Sequence, residues 1–555
     1  MKHYTVQRSV FVCLLAFAIT MFAVGKTPAR EKAVGEVLRN IVESNVPTIG
    51  IEGNDERFIP IFLLYEERNY TPIWVRDTGP KFKARHFLEI LRNARDDALH
   101  PSDYRVGEIE KRIKSTDYQT LAELELLLSR ALLEYGRDLH AGRVEPSKVN
   151  SDVHVFPQDH ASDQLLDQVA RADKVAYVTN TLAPQTPRYA RMKQALKAYR
   201  EIAAKGGWIK LPGGETLKPG MVSERVPALR TLMFQLGDLK NTDLAQDQDP
   251  KLYDPNLVAG VKRFQLRHGI DQDGVIGPNT LAEMQVTAPM RVRQIELNME
   301  RRRWMQDKYG KFYIFVNLAD QFLKVVRRVD NREKTLHTSP LVVGKPYHQT
   351  PVFSKAMTYM VMNPYWNVPN SIATKELLPD LRRDPGKLAS QNIRIFRGWG
   401  KDAAEIDAQS IDWTQVSAAG FPFRMRQDAG NRNALGRIKF MFPNKFSVYI
   451  HDTPSKSLFS RTRRFFSHGC MRVQNPRDLA AVLLRETGSK MSRSKIDEII
   501  SNDKRRVVRL LRSIPVHVTY LTAWVNKDMS MHFRKDIYGR DAKLDRALKR
   551  SRLAN

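Results

Sequence analysis

The sequence predicts a multidomain α+β protein with a mainly helical N-terminal part, a small three-helix module and a β-rich, sandwich-like domain with an inserted cap. A chain of 555 residues is too long for one hydrophobic core. Apolar residues recur at helical spacing as far as about Gly220, and after Arg291 they alternate as strands require. The expected divisions are an export signal at 1–25, a helical scaffold at 26–220, the three-helix module at 221–289, the β-rich domain at 290–522 with its cap at about 371–423, and a basic tail at 523–555.

The first residues have the pattern of an export signal. Lys2 and Arg8 precede an apolar run over 10–24, and small residues at Ala23 and Gly25 follow the order that a signal peptidase requires. The run is shorter than the roughly 20 residues of a membrane-spanning helix. An uncleaved membrane anchor remains the alternative.

The net charge of +29 and the pI near 10 predict an acidic partner. Nucleic acid, anionic lipid and a carboxylate-rich wall polymer all satisfy this expectation. Export argues against nucleic acid, and the chain has no zinc-finger spacing, aromatic RNA-binding signature or basic-zipper pattern. Neither a zinc-binding HExxH pattern nor a glycine-rich nucleotide loop is present, so no metal or cofactor is implied.

The helical scaffold contains amphipathic segments such as 122–135, which Pro and Gly clusters separate. Tyr70 and Trp74 are expected to be packing aromatics in preference to binding residues. No catalytic constellation is apparent in this part of the sequence.

The predicted three-helix module begins with an amphipathic helix that Gly237 ends. A second helix at 257–268 and a glycine-punctuated turn at 271–280 follow. This pattern resembles the small peptidoglycan-binding module, through Val261, Lys262, Phe264, Gln265, Asp273, Gly274, Ile276, Gly277 and Thr280. Phe264 and Ile276 are expected in its core, and glycan binding by this copy stays open.

The β-rich domain is predicted from short alternating segments. Residues 311–318 and 321–329 alternate and are joined by Ala319 and Asp320, as in a hairpin. Further short strands favour a sandwich or a partial barrel, and a helix is expected at 478–487. The stretch at 371–423 lacks this alternating pattern of short strands and is interpreted as an inserted lid or cap. The charged residues after Trp524 predict a solvated helix or tail.

Cys470 is the one cysteine outside the export signal, because the other, Cys13, lies inside it. A lone thiol in an exported protein is either a nucleophile or an inert buried side chain. A nucleophilic thiol needs a base, and His451 lies 19 residues upstream at the end of an apolar strand. Gly469 permits a tight turn that lets backbone amides face an oxyanion. Arg472 supplies a cation for the thiolate or for a substrate carboxylate.

His451 followed by Ser467-His468-Gly469-Cys470-x-Arg472 resembles the signature of the L,D-transpeptidases of the YkuD type. The resemblance implies that Cys470 is the nucleophile, that His451 is the base and that the Asp452 carbonyl orients the base. His468 is an alternative base, and a structural or oxyanion-side role is preferred for it. Arg472 and Ser467 are expected at the substrate.

Further segments resemble large multidomain Gram-negative members of that family, which have a scaffold, a wall-binding module and a capping subdomain. These segments are Arg301–Trp304, Asn363–Pro369 and Asn433–Asn444. The resemblance implies that Trp366 and Tyr449 lie near the substrate or the acylated cysteine, with Tyr449 available to the oxyanion. At 427–430, Gln-Asp-Ala-Gly lacks the proline that the family often has.

The resemblance implies a periplasmic, carbapenem-sensitive enzyme of cell wall and cell shape biogenesis that forms 3→3 cross-links between peptidoglycan stem peptides. The partners would be peptidoglycan stems and glycan, with other wall-synthesis proteins, and membrane contact would arise only through an uncleaved N-terminus. Two alternatives stay open. The same nucleophile could serve L,D-carboxypeptidase hydrolysis or lipoprotein attachment, or the chain could be a non-catalytic wall-binding scaffold.

Overall fold

The computed structural model describes residues 32–44, 57–157, 162–240, 249–305, 309–330, 332–398, 400 and 402–554. The predicted export signal at 1–25 lies outside these residues. Within the described ranges, no helix combines the length and apolar character needed to cross a bilayer.

The N-terminal part is mainly helical, as predicted. Its long central helix begins at Asp117, whose carboxylate accepts the Thr120 amide, and it is buried along most of its length. Trp74 is fully buried and Tyr70 nearly so, which confirms them as packing residues. The elements are α1 (Lys32–Ser44), α2 (Ile59–Glu67), β1 (Val75–Arg76), β2 (Gly79–Pro80), α3 (Phe82–Arg92), α4 (Val106–Arg112), α5 (Tyr118–Ala141), α6 (Pro146–Val149), β3 (Val153–His154), α7 (Ser162–Arg171), α8 (Val175–Thr179) and α9 (Pro187–Ala204).

The next region is the predicted three-helix module. Phe264 and Ile276 lie in its core, and the Gln265 side chain accepts the Gly274 amide and so fixes the turn between the second and third helices. The helices are α10 (Val226–Gln235), α11 (Pro255–His268) and α12 (Pro278–Met284).

The β-rich domain follows a long helix and begins with the predicted hairpin, which the antiparallel pairing of Phe312 with Arg327 and Asn317 with Phe322 confirms. Its first elements are α13 (Ala288–Met305), β4 (Phe312–Asn317), β5 (Phe322–Val329), β6 (Arg332–Gly344) and β7 (Val352–Met362).

The inserted cap is a separate layer with its own apolar core, in which Leu381 and Trp413 are buried. Its four strands have the order β10-β9-β11-β8, so the cap sheet reaches a few residues beyond the predicted 371–423 on each side. A π-helical turn at Ala373–Leu377 lies between its first two helices. The elements are β8 (Trp366–Asn367), α14 (Asn370–Ile372), α15 (Leu378–Leu381), α16 (Lys387–Ser390), β9 (Ile393–Arg397), β10 (Glu405–Ile406) and β11 (Phe423–Gln427).

The chain then returns to the main sheet. The elements are β12 (Ile438–Met441), β13 (Ile450–His451), β14 (Phe465–Ser467), β15 (Met471–Val473), α17 (Pro476–Glu486), α18 (Arg493–Ser501), β16 (Arg506–Thr519), β17 (Ala523–Val525), β18 (Met531–Phe533) and α19 (Arg540–Ala554). The strand order is β12-β13-β15-β6-β5-β4-β16-β7-β3, and β7 also pairs with β12. That second pairing closes the sheet into a ring around an apolar core, and strand β3 of the scaffold extends it at β7.

The prediction of a basic tail at 523–555 is wrong. This segment forms a two-stranded ribbon and helix α19, in which Leu544 and Leu548 are buried against the main core. The Tyr538 hydroxyl donates to the Gly344 carbonyl at 2.6 Å. The many Lys and Arg residues made the segment look fully polar. Its few apolar residues are spaced so that they lie on one face of the helix, which packs against the sheet.

Candidate active site

Three neighbouring strands bring the predicted catalytic residues together. Strand β13 lies between β12 and β15, with Lys439 opposite His451 in the antiparallel pair and Arg472 opposite His451 in the parallel pair. Cys470 directly precedes β15, and the amide of Met471 donates to the Tyr449 carbonyl at 3.0 Å. Because side chains alternate along a strand, Tyr449 shares a face with His451 and Cys470 shares a face with Arg472.

His451 is held as a neutral imidazole. The ring is buried, and its Nδ1 lies 2.5 Å from the carbonyl oxygen of Asp452. A carbonyl can only accept, so Nδ1 carries the proton and Nε2 retains its lone pair. Burial, and then the Arg472 and Lys439 cations on either side, lower the pKa of His451 to about 3. At neutral pH the ring is therefore in the form that accepts a proton.

Cys470 is partly exposed and lies against Tyr449. Its sulfur is 3.8 Å from the Ser447 carbonyl oxygen. Burial raises the pKa of the thiol, whereas the Tyr449 amide, the Lys439 ammonium, the Tyr449 hydroxyl and the Arg472 guanidinium act in the opposite direction. The resting thiol is therefore mostly protonated, and the groups that stabilise a thiolate are already beside it.

Among the contacts of the described residues, no hydrogen bond joins the Cys470 sulfur to the His451 ring. The ring donates to the Asp452 carbonyl, and the sulfur lies against Ser447 and Tyr449. Register places the two side chains as diagonal neighbours on adjacent strands, a separation of about 7 Å between Cβ atoms in sheets generally. Catalytic hydrogen bonds are often long before substrate binds. Proton transfer therefore requires the thiol to turn towards the ring when substrate is bound.

The turn before Cys470 is fixed by hydrogen bonds to its backbone. The Ser467 hydroxyl donates to the Cys470 carbonyl at 2.5 Å and accepts the Gly469 amide at 3.2 Å. The Thr350 hydroxyl donates to the Gly469 carbonyl at 2.8 Å. Gly469 has φ +110°, a conformation that L side chains rarely adopt, and this explains the glycine.

The contacts of this segment bear on two sequence-based assignments. Ser467 is buried, and its hydroxyl bonds the backbone of the turn, so the structure gives it a positioning contact, and its predicted role at the substrate stays a prediction. His468 is exposed, and its Nε2 lies 2.6 Å from a Glu376 carboxylate oxygen in the cap. Of the roles considered for His468, the structural one fits this contact.

The remaining predicted site residues are Arg472, Trp366 and Asp452. Arg472 is partly buried, and its buried Nε has no hydrogen-bond partner; its predicted contact with a substrate carboxylate stays a prediction. Trp366 packs on the cap core and pairs with Gln427, which makes it part of the cap wall. The Asp452 carboxylate accepts the amides of Arg437 and Thr453, so its role is structural beyond the carbonyl.

Lys439 is a site residue to which sequence reasoning assigned no role. Its ammonium lies 3.7 Å from the centre of the Tyr449 ring, and burial lowers its pKa. The available signal was a lysine between two apolar residues, Ile438 and Phe440, in a predicted strand. Alternation alone made that lysine look solvent-facing, because the cross-strand register was unknown.

Comparison with known families agrees with this geometry. Residues 311–500 match the profile described as "L,D-transpeptidase catalytic domain". This region is therefore similar to L,D-transpeptidase catalytic domains. Residues 61–196 match "Scaffold domain" and residues 224–284 match "Putative peptidoglycan binding domain". The matched region includes His451 in strand β13 and Cys470 immediately before the neighbouring strand β15.

A curated relative from Haemophilus influenzae, "Putative L,D-transpeptidase", is 32% identical over 255 residues. The match covers 46% of this chain and 49% of the relative, so the chain spans about half the length of the curated relative it matches.

Two solved structures were also matched. A fused zinc-dependent amidase/peptidase and peptidoglycan-binding protein from Clostridium acetobutylicum is 12% identical, with a TM-score of 0.15, over 55% of this chain and 100% of that one. Bd1075 of Bdellovibrio bacteriovorus is 14% identical, with a TM-score of 0.16, over 44% of this chain and 57% of that one. At these TM-scores neither likeness supports a structural argument.

Proposed function

We propose that this chain is an exported, periplasmic cysteine transpeptidase that forms 3→3 cross-links between peptidoglycan stem peptides. The observation that carries the proposal is the neutral His451 ring, oriented by the Asp452 carbonyl and paired in register with the strand that follows Cys470. The wall-binding module supports peptidoglycan as the substrate. The N-terminal export pattern supports the location.

The first half-reaction acylates the enzyme. His451 Nε2 accepts the thiol proton, and the Cys470 sulfur attacks the carbonyl carbon of the amide that follows meso-diaminopimelate in a donor tetrapeptide. The C–N bond then breaks, His451 returns the proton to the amine, and D-Ala leaves. A thioester to Cys470 remains.

The second half-reaction forms the cross-link. The side-chain amine of an acceptor stem attacks the thioester, its proton passes to His451, and the C–S bond breaks as the thiol is restored. The Gly469 turn and the Tyr449 hydroxyl are the proposed oxyanion donors. The Arg472 guanidinium holds a stem carboxylate. The cap excludes water, which favours the amine over hydrolysis.

Muropeptide analysis of sacculi incubated with the purified protein tests this function. We expect new 3→3 dimers with the wild-type chain and none with Cys470→Ala, which should still fold and bind sacculi. Tripeptides without dimers would replace the proposal with a carboxypeptidase, and a lipoprotein attached to muropeptides would replace it with an anchoring enzyme. Dimers formed by Cys470→Ala would refute the assigned nucleophile.

A further inference from the structure

A cleft of about 540 Å³ lies between the wall-binding module and the transpeptidase domain. The module contributes nine residues between Gly269 and Thr280, among them Asp273 and Gly277 of its signature turn. The opposite wall is the 460–466 segment of the transpeptidase domain, between His451 and Cys470. The part of the module that predicted wall binding therefore faces the segment that leads into the nucleophile.

The two walls are held in a fixed relation. Arg534 donates to the Arg267 carbonyl of the module at 2.9 Å and forms an ion pair with Asp320 of the β4–β5 hairpin at 2.7 Å. Arg267 in turn donates to the Met531 carbonyl at 3.1 Å. Across the cleft, the Thr462 hydroxyl donates to the Asp271 carboxylate. These contacts hold the module against the transpeptidase domain.

The transpeptidase side of the cleft has exposed arginines and an aromatic side chain. Arg461 and Arg463 are exposed in the cleft, and the Arg461 guanidinium lies 5.4 Å from the centre of the Phe466 ring. Arg464, in contrast, is buried and donates to the Leu341 carbonyl at 3.1 Å, which anchors the segment. Arginines that face outward beside a ring suit a polymer that combines carboxylates with sugar faces.

The cleft is continuous with the reaction centre along the chain. Phe466 lies in strand β14, four residues before Cys470. Strand β14 pairs with β6 at Phe465 and Ser467, and Ser467 fixes the nucleophile turn. A polymer seated against Phe466 therefore contacts the strand that leads into the turn before the nucleophile.

We propose that this cleft binds one peptidoglycan strand, with the carboxylates of its stem peptides on Arg461 and Arg463, so that the module and the transpeptidase domain share a single polymer. The inference rests on the proposed function and adds to it. The substrate is a strand long enough to occupy both walls, and the cleft presents successive stems to Cys470.

The test compares small and polymeric substrates on the full-length chain. The variant is Arg461→Glu with Arg463→Glu, and the matched control is Arg509→Glu with Arg512→Glu, two exposed arginines on β16 with the same change in net charge. Acylation by a small carbapenem should be unchanged in both. Binding to purified sacculi and dimer formation on sacculi should fall about tenfold or more in the cleft variant alone, as expected for two lost charge-assisted contacts.

Three results overturn the inference. The first is a cleft variant that binds and cross-links sacculi as the wild type does. The second is a control that loses as much sacculus binding as the cleft variant. The third is a cleft variant whose carbapenem acylation falls as much as its sacculus binding. If the wild-type chain makes no dimers, the proposed function fails. Sacculus binding by the cleft variant and the control then still decides whether the cleft binds the polymer.

Discussion

Gly436→Ala perturbs the proposed base from a distance, through Asp452. Gly436 has φ +60°, and an added Cβ would lie 2.5 Å from Asp452 Cβ and closer still to its carboxylate, where real Cβ atoms essentially never come within 3.0 Å. The Asp452 carboxylate accepts the Arg437 amide at 2.8 Å, and the Asp452 carbonyl holds His451 Nδ1. Asp452 must move, and the acceptor that fixes the imidazole moves with it.

The expected loss of stability has two parts. An alanine at positive φ costs about 1 kcal/mol. Forcing a methyl group into occupied space adds about 1–3 kcal/mol. Gly420→Ala is the matched control, because Gly420 has φ +78° and an added Cβ there has nothing within 4 Å. The control should therefore lose only the first part.

Thermal unfolding and the rate of carbapenem acylation measure the two effects on the same proteins. We expect Gly436→Ala to lower the unfolding free energy by about 2–4 kcal/mol and the acylation rate by about 10- to 100-fold, since small misplacements of a catalytic group are costly. Gly420→Ala should acylate at the wild-type rate. Wild-type acylation by Gly436→Ala, despite its lower stability, would refute the claim that the Asp452 carbonyl controls the base.

Three further predictions concern charge and packing. Lys439→Met removes a cation that lowers the pKa of the Cys470 thiol, so the profile of acylation rate against pH should move to higher pH. An unmoved profile would contradict the role given to Lys439. Burial, followed by Arg534, lowers the pKa of His532 to about 4. Below about pH 6.5 His532 therefore binds a proton more readily in the unfolded chain than in the folded chain. The free energy of unfolding falls by about 3 kcal/mol as the pH falls from 6.5 to 4. In denaturant titrations His532→Gln should lose less stability than the wild type as the pH falls. An equal loss in the two proteins would exclude His532 as its cause. Leu544→Ala should cost about 2–5 kcal/mol in the same titrations, whereas a solvated α19 predicts almost no change.

Local patterns in the sequence were sufficient for much of the fold. The β4–β5 hairpin follows from alternation across a two-residue connection, and the three module helices follow from caps and apolar spacing. In both cases the partners are close in sequence. Helix α19 and strand β3 are different, because each is stabilised by residues far away in the chain. A two-residue strand such as Val153–His154 has too few side chains to show a period.

In the candidate site, too, local sequence patterns predicted some residues, and contacts between distant strands determine the others. Cys470 and His451 could be predicted because thiol chemistry requires a base and because the motif has a fixed spacing, and the structure brings them to neighbouring strands. The Lys439 ammonium was missed, since its effect depends on pairing with His451 across β12 and β13. Ser467 was assigned to substrate because a motif gives the residue type but not the direction of the hydroxyl, which the turn uses.

The central claim is that the Cys470 sulfur is acylated with His451 as its base. Intact mass after carbapenem treatment, followed by peptide mapping, tests it most directly. We predict one adduct, on Cys470, with formation slowed about 100-fold or more by His451→Ala and left unchanged by His468→Ala. An adduct elsewhere, or a rate that depends on His468 and not on His451, would contradict the account.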